Sequence, residues 1–271
     1  MKRIFKLVLG LALVVGITGC GQNEAKDSDT LKLGVVGERN EPWEDAIKRY
    51  KEDTGKDVEL VIFNDYNQPN DALKDGDIDL SSFATRIFIE DYNKNQDAGF
   101  VYIGDTIISP MGIYSNSLDD YKNVPENGKV AIPVEVSNNS RALYILDAAG
   151  LIKVKKNAGD FVTIDDIEEN PKNLEFMEFP ADQVSRNLDD VDLALINADM
   201  AMEAGLNPKE DAIYLEDPNH ERSKNFINVI AVKEENKDNE DIRNLVDNYY
   251  FTDQTKKVIE DEFKGSVIPV W

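Results

Sequence analysis

The sequence predicts an α/β protein built from two similar lobes. Segments with the patterns of strands and helices alternate along the chain, which favours sheets of largely parallel strands covered by helices. Residues 73–80 and 188–193 resemble each other, because each joins the end of a predicted helix to a strand through an acidic turn. With 41% apolar residues, the chain of 271 residues can form sizeable cores, so general disorder is excluded.

The first predicted lobe begins with two strand–helix units. Its strands lie at residues 31–36, 58–63 and 78–82, and a short helix lies at 68–74. Between the first two strands, apolar residues recur at positions i, i+3, i+4 and i+7 of a helix, namely Trp43, Ala46, Ile47 and Tyr50. Pro42 suits the first turn of this helix, and Gly55 suits its end.

The second predicted lobe repeats this order. Strands are predicted at residues 129–133, 174–179 and 191–196, with helices at 138–149 and 181–188. A further strand at 226–233 and helices at 240–249 and 252–263 then return the chain to the first lobe.

Two crossings between the lobes are therefore expected, near residues 113–114 and 226–229. Paired crossings of this kind form a hinge. Lobe 1 would comprise residues 31–113 and 230–271, and lobe 2 would comprise residues 114–229. Ligands of such sheets bind beyond the carboxyl ends of the strands, so the cleft between the lobes is the expected site.

Charge and composition exclude several classes of function. The formal net charge of −23 comes from 30 basic and 53 acidic residues, which argues against nucleic-acid binding. One Cys excludes an internal disulfide framework, and one Cys with one His excludes most zinc sites. The acidic turns are expected to be solvated, His220 lies in a polar loop without a nucleophile motif, and no Gly-rich phosphate loop is present. We therefore expect a binding protein without metal or cofactor, not an enzyme.

The amino terminus has the pattern of a lipoprotein signal. Residues 1–19 combine a basic start with an apolar run typical of a secretory signal peptide. They end in Ile17-Thr18-Gly19 before Cys20, which resembles the lipobox of bacterial lipoproteins and implies cleavage before Cys20 and lipidation of its thiol. The alternative is an ordinary signal peptide with an incidental Cys. Cleavage would leave a charge of 27 − 53 = −26, and residues 20–30 would tether a lipid-anchored protein to the extracytoplasmic face of the cell membrane.

A series of sequence blocks, in one order along the chain, carries a resemblance to a known family. The blocks lie at residues 63–70, 76–83, 130–133, 138–143, 149–153, 169–174, 188–192, 196–197, 228–230 and 264–271. Through them the chain resembles the NlpA/MetQ family of lipoproteins, the methionine-binding components of bacterial ABC importers. The resemblance implies a two-lobed, periplasmic-binding-protein-like (type II) fold with two mixed sheets flanked by helices. It also implies that a monomer captures methionine or a related amino acid and passes it to an ABC permease and its ATPase.

By this resemblance, four polar residues would hold the ends of a free amino acid. Arg141 would pair with the ligand carboxylate, which a guanidinium can contact through two nitrogens. Asn197 and Asn228 match positions whose amides hold the zwitterion across the cleft. Asn138 lies beside Arg141 in the sequence and would orient that residue or its loop, with a helix-capping role as the alternative.

The predicted side-chain pocket departs from the methionine-binding pattern. Tyr66 and Phe83 match aromatic positions that enclose a methionine side chain, and sulfur–aromatic contacts suit a thioether. The family usually has a His where this chain has Thr85 and a Tyr where it has Phe88. Another family His corresponds to Trp43, which would either fill the pocket or belong to the core, and we favour the core.

Two further positions are open. Met200 replaces a Tyr that usually follows the Asn197 motif, and Arg86 would be either a pocket cation or, as we favour, a solvated surface charge. The residues expected to contact the ligand side chain differ from those usual in the family, whereas the residues expected to hold its charged ends are retained. The ligand could therefore be a different one, such as another amino acid or a methionine-containing dipeptide. A surface interaction protein of the adhesin type, which has kept the fold, is the alternative from another class.

Overall fold

The computed structural model describes residues 30–271, which form two five-stranded mixed sheets flanked by helices, one sheet in each lobe. The strands are β1 (Leu31–Val36), β2 (Val58–Phe63), β3 (Leu80–Thr85), β4 (Phe100–Asp105), β5 (Ile107–Ile108), β6 (Gly112–Tyr114), β7 (Lys129–Pro133), β8 (Lys153–Val154), β9 (Ile167–Glu169), β10 (Glu175–Phe179), β11 (Leu193–Ile196), β12 (Tyr214–Leu215), β13 (Asn228–Lys233) and β14 (Ile268–Pro269). The helices are α1 (Glu41–Thr54), α2 (Gln68–Asp75), α3 (Arg86–Gln96), α4 (Val136–Ala148), α5 (Ala181–Val184), α6 (Ala198–Glu203), α7 (Pro208–Asp211), α8 (Glu240–Leu245) and α9 (Asp253–Phe263).

The predicted signal peptide, Cys20 and most of the predicted tether lie outside the described residues. Between residues 30 and 271, no helix combines the length and the apolar character that crossing a bilayer requires.

The α/β prediction is confirmed, and the two large sheets are mixed, as the family resemblance implies; the alternation of strands and helices by itself favours largely parallel sheets. In the first, ordered β2-β1-β3-β13-β4, the strands β1, β2 and β3 are parallel and β13 runs antiparallel to both neighbours. In the second, ordered β10-β7-β11-β6-β12, the strands β7, β10 and β11 are parallel and β6 runs antiparallel to both neighbours. The antiparallel strand of each sheet directly follows the passage of the chain from the other lobe, which explains its reversed direction. The lobe limits given above remain a prediction.

Most predicted elements are present with their ends moved by a few residues, and several short strands and helices, together with α3 and β4, were not predicted. The third strand begins at Leu80 rather than Ile78, and it continues to Thr85. The helix α3 and the strand β4 follow, and the sequence pattern of α3 is weak because it buries only Ile87 and Ile89. The predicted long helix near residue 245 continues from α8 into a π-helical turn over Val246–Tyr250.

The two acidic turns that look alike in the sequence make the same pair of hydrogen bonds in the two lobes. The Asp79 carboxylate accepts the Lys32 backbone N–H at 2.8 Å, and the Asp79 N–H donates to the Lys32 carbonyl at 2.9 Å. Asp192 makes the same pair of bonds with Lys129, at 2.8 and 2.9 Å. Each aspartate thus ties the turn to the neighbouring strand, so these carboxylates are structural.

Three hydrophobic clusters determine how the lobes are built and how they meet. In the first lobe, Trp43 of α1 stacks on Tyr250 with ring centroids 3.9 Å apart. In the second, α4 packs Leu143 and Leu146 against its sheet. A third cluster joins residues from both lobes, including Tyr66 with Ala194, Ile196 and Met200. Burial of apolar side chains such as Tyr66 at the contact between the lobes favours lobe closure.

Candidate functional site

A cavity of about 130 Å³ lies between the two lobes, at the edges where the central strands end. Every residue predicted to contact the ligand lines this cavity: Tyr66, Phe83, Thr85, Phe88, Asn138, Arg141, Asn197 and Asn228. The carboxyl ends of parallel strands meet at one edge of a sheet, so residues far apart in sequence converge there. The structure therefore brings the whole predicted set together in one place.

On the first lobe, strand pairing places three of these residues at one edge. Asn228 begins β13 opposite Thr85, the last residue of β3, and the register shifts just after Asn228. The Asn228 Nδ2 donates to the Phe83 carbonyl at 2.8 Å, which holds the amide against the end of β3. Its Oδ1 makes no hydrogen bond within residues 30–271, so an acceptor remains beside the cavity.

On the second lobe, Arg141 is buried and already paired. Its exposed fraction is 4%, and its Nε and Nη2 donate to Glu216 Oε2 at 3.0 and 2.5 Å. The Nη2 also donates to the Ser109 carbonyl at 2.9 Å, and the guanidinium lies 4.6 Å above the ring centroid of Phe226. Within the described chain, Nη1 has no hydrogen-bond partner. A ligand carboxylate would therefore meet one free nitrogen, not two, unless Nη2 left Glu216.

Two asparagines form a second polar feature of the same lobe. The Asn197 Nδ2 donates to Asn138 Oδ1 at 3.0 Å. Asn138 does not cap α4, because the N-cap of that helix is Glu135, and its role in orienting Arg141 or the loop stays a prediction. The Asn197 Oδ1 is buried and lacks a hydrogen-bond partner in the part of the chain that the structure describes. A buried acceptor without a donor is costly, so this atom is ready to accept a bond from a ligand N–H.

An acidic pair that the sequence reasoning missed lies on α6, which Asn197 precedes. Asp199 accepts the Tyr66 hydroxyl, and Glu203, one turn later on the helix, lies against Gly37 of the first lobe. Burial raises the pKa of both carboxyls above the ordinary range, and the charge of Asp199 raises that of Glu203 further. Burial, together with the charge of Asp199, also holds the pKa of the Tyr66 hydroxyl well above its usual value.

Aromatic rings form the apolar side of the cavity. The ring centroids of Tyr66 and Phe83 lie 6.3 Å apart with nearly parallel planes, and those of Phe83 and Phe88 lie 6.1 Å apart edge to face. Trp43 also lines the cavity, although its ring belongs to the core of the first lobe. These rings and Thr85 provide a place for an apolar or thioether side chain.

The two open positions lie elsewhere. Arg86 forms an ion pair with Asp105 and has its guanidinium 5.7 Å from the ring centroid of Tyr102, and it does not line the cavity. Met200 is buried in the cluster between the lobes and does not line the cavity either.

Glu216 was also missed, and no sequence signal could have found it. It binds Arg141 over a separation of 75 residues, and only the folded chain brings the two together. Asp199, in contrast, follows the predicted strand end and Asn197 by two residues, so its placement was within reach of the same argument. Within residues 30–271, no group of His, Cys, Asp or Glu side chains is arranged to hold a metal ion.

Comparison with known proteins gives consistent matches along the whole globular part. The family model of the NlpA lipoproteins matches residues 31–271. The D-methionine-binding lipoprotein MetQ of Escherichia coli (strain K12) is 36% identical over 273 residues, which cover 98% of each chain.

Solved structures agree in fold. A nutrient-binding protein from Burkholderia cenocepacia bound to methionine has a TM-score of 0.84 and 39% identity, and the match covers 89% of this chain and 100% of that one. The substrate-binding protein of a methionine transporter from Streptococcus pneumoniae has a TM-score of 0.83 and 36% identity, over 89% and 96% of the two chains.

Proposed function

Since the chain belongs to the NlpA lipoprotein family, we propose that it captures methionine or a closely related amino acid between its two lobes and delivers it to an ABC importer. The observation that carries the proposal is the cavity itself. It combines a buried cation, an unpartnered buried acceptor and a wall of aromatic rings, which are the three features that a free amino acid with an apolar side chain requires.

Each end of the ligand has a complementary group. The free Nη1 of Arg141 would bind the carboxylate. The ammonium group would donate to Asn197 Oδ1, with Asp199 and Glu203 supplying negative charge nearby. The side chain would lie against Tyr66, Phe83 and Phe88, with Thr85 completing the wall, while Asn138 and Asn228 supply polar contacts. These assignments are supported by the common cavity that the residues line.

The mechanism is capture by closure. The lobes, joined at the crossings near residues 113–114 and 226–229, would close on the ligand and exclude water from it. Contacts of this kind are consistent with dissociation constants between micromolar and nanomolar, or about −8 to −12 kcal/mol. The closed form would then dock on the ABC permease, whose ATPase supplies the energy. The protein would act as a monomer and as a binding protein, not an enzyme.

The anchor is part of the same proposal. Acylation of Cys20 after removal of residues 1–19 would hold the protein at the extracytoplasmic face of the membrane, because each buried CH₂ contributes about 0.8 kcal/mol. This is supported by the lipobox and by the lipoprotein family that the chain matches.

One observation favours a longer ligand as the second candidate. The cavity continues beyond the predicted ligand residues to an apolar wall that includes Ile259, Phe263 and Val267. A methionine-containing dipeptide would use this additional room, whereas a single amino acid would leave it to water.

Mass spectrometry of ligand released from the denatured protein, followed by titration of the refolded protein, tests the proposal. We expect methionine, another amino acid or a methionyl dipeptide to be released and to rebind with micromolar or tighter affinity. Absence of any such ligand, with no binding in titrations, would favour the surface interaction protein.

Arg141→Ala tests the site. It should weaken binding by about 3–5 kcal/mol, because the ligand carboxylate would be buried without its partner. Arg86→Ala is the matched control, since Arg86, like Arg141, pairs with a carboxylate and lies near an aromatic ring but does not line the cavity. Equal affinities of Arg141→Ala and the wild type would refute the site.

A further inference from the structure

Glu216 lies directly behind the proposed carboxylate-binding residue. It follows β12, is 8% exposed and does not line the cavity. Its carboxylate accepts bonds from Arg141 Nε and Nη2, from the Met111 backbone N–H at 3.1 Å and from the Ser223 hydroxyl at 3.1 Å. This carboxylate therefore has several donors, and it determines which guanidinium nitrogens remain available.

The pair has two consequences for a ligand. First, Nε and Nη2 are occupied, so the guanidinium offers the cavity only Nη1. Second, the charge of Glu216 cancels that of Arg141 at close range in a buried setting, where such charges interact strongly. A carboxylate entering the cavity would meet a neutral pair, not a free cation.

The other charges at the cavity do not restore a positive potential. Arg39, the other arginine on the cavity wall, already lies within 3.5 Å of Glu41 and 3.7 Å of Glu262. Asp199 and Glu203 also line the cavity, and neither lies within ion-pair distance of a Lys or Arg nitrogen in residues 30–271, although the charge of Arg141 acts on Asp199 by offsetting part of the burial effect that raises its pKa. Both arginines of the described wall are thus in ion pairs while its two carboxyl groups are not, and Asn197 Oδ1 is an unpartnered acceptor beside them.

We infer that Glu216 is a positioning residue that sets the charge selectivity of the cavity, so that a ligand must carry a free ammonium group together with its carboxylate. Because Arg141 and Arg39 are already paired with carboxylates, a carboxylate without an ammonium group would bring a net negative charge to a wall that has no unpaired arginine to compensate it. A zwitterion brings no net charge and places its ammonium group near Asn197 and the acidic pair. This inference rests on the function proposed above and specifies the class of ligand.

The direct test compares methionine with 4-(methylsulfanyl)butanoate, which is methionine without its amino group. In the wild type we expect a strong preference for methionine. Glu216→Gln leaves the charge of Arg141 uncompensated, so the preference for methionine should fall by about tenfold or more. Glu216→Asp keeps the charge and should restore most of the preference, even where its absolute affinity is lower.

A merely structural role gives a different result. If Glu216 only supported the fold, Glu216→Gln would weaken the binding of both ligands equally and leave the ratio of their dissociation constants unchanged. That result would overturn the inference. A wild type that binds the butanoate as tightly as methionine would also overturn it. A wild type that binds neither ligand would overturn both the inference and the methionine function on which it rests.

A second measurement uses the wild-type protein and does not depend on the folding of a variant. Nuclear magnetic resonance of the Arg141 side chain, assigned in the wild type by through-bond correlation to its backbone signals, follows its Nε–H and Nη signals during titration with methionine. We expect the Nη1 signals to shift while the Nε–H signal changes little, because Glu216 keeps the Nε–H. An Nε–H shift as large as that of Nη1 would mean that the ligand displaces Glu216, which contradicts the inference.

Discussion

The hydroxyl of Tyr66, in the first lobe, lies 2.7 and 2.6 Å from the two carboxylate oxygens of Asp199 in the second. Both residues also line the cavity, so this hydrogen bond joins the lobes at the wall of the proposed ligand site. Tyr66 is 8% exposed, and burial raises the pKa of both groups. Tyr66 and Asp199 therefore contribute both to the contact between the lobes and to the wall of the proposed ligand site.

Removal of that hydroxyl should weaken ligand binding. Tyr66→Phe leaves the buried Asp199 carboxylate without its donor from the other lobe, and a hydrogen bond to a charged group contributes about 1.5–3 kcal/mol. Isothermal titration calorimetry with the released ligand measures the loss. Tyr92→Phe is the matched control, because the Tyr92 hydroxyl also donates to an aspartate, Asp71, but lies outside the cavity. Equal effects of the two substitutions would disprove a role for the bond across the lobes.

Two adjacent asparagines of α4 should separate ligand binding from stability. Asn138→Ala removes the partner of Asn197 at the cavity and should reduce ligand affinity by about 1–3 kcal/mol. Asn139→Ala removes a buried bond to the Pro133 carbonyl and a partly buried bond to Glu178, and should instead lower the free energy of unfolding by a similar amount. Titration and urea denaturation of both variants measure the two quantities. The prediction fails if Asn139→Ala reduces affinity more than Asn138→Ala does.

The aromatic wall should act on the ligand side chain and not on its charged ends. Phe83→Ala should weaken the binding of methionine by about 1–3 kcal/mol, because apolar and sulfur contacts are lost, and should weaken the binding of alanine much less. Competition binding with the two amino acids measures the difference. Phe161→Ala, at a surface position that is 37% exposed, serves as the control and should leave both affinities unchanged. A uniform loss for both ligands in Phe83→Ala would show that the ring does not contact the side chain.

The raised pKa of Glu203 predicts how stability depends on pH. Burial, and then the charge of Asp199, disfavour the ionised form in the native state, while in the unfolded chain the pKa of the group is near the ordinary glutamate value of about 4.5. The native state therefore holds the proton to higher pH, and the wild type loses stability as the pH rises from about 4.5 through the raised pKa. Glu203→Gln lacks this titration, so its stability relative to the wild type should rise over that window and then become constant.

Urea denaturation at a series of pH values measures this difference. Glu168→Gln, on an exposed glutamate, controls for the loss of one negative charge. A relative stability of Glu203→Gln that falls with rising pH would have the wrong sign and would contradict the assignment.

Local pattern was enough to predict much of this protein. Apolar periodicity, Pro42 and Gly55 located the first helix, and the repeated acidic turns indicated two similar lobes. The resemblance blocks named the residues that line one cavity, because those residues follow strand ends where chains of this class place their sites. In contrast, α3 and β4 were missed, since α3 buries few residues and its pattern is weak.

The sequence by itself determined the α/β class, the two lobes and the set of residues at the cleft, because these follow from short-range periodicity and from motifs in a known order. The tertiary structure decided how those residues are used. Only folding brings Glu216 to Arg141 across 75 residues, and Asp199 to Tyr66 across 133. Hydrogen bonds and charge compensation depend on distances of a few ångströms, and spacing along the chain does not encode such distances between separate elements.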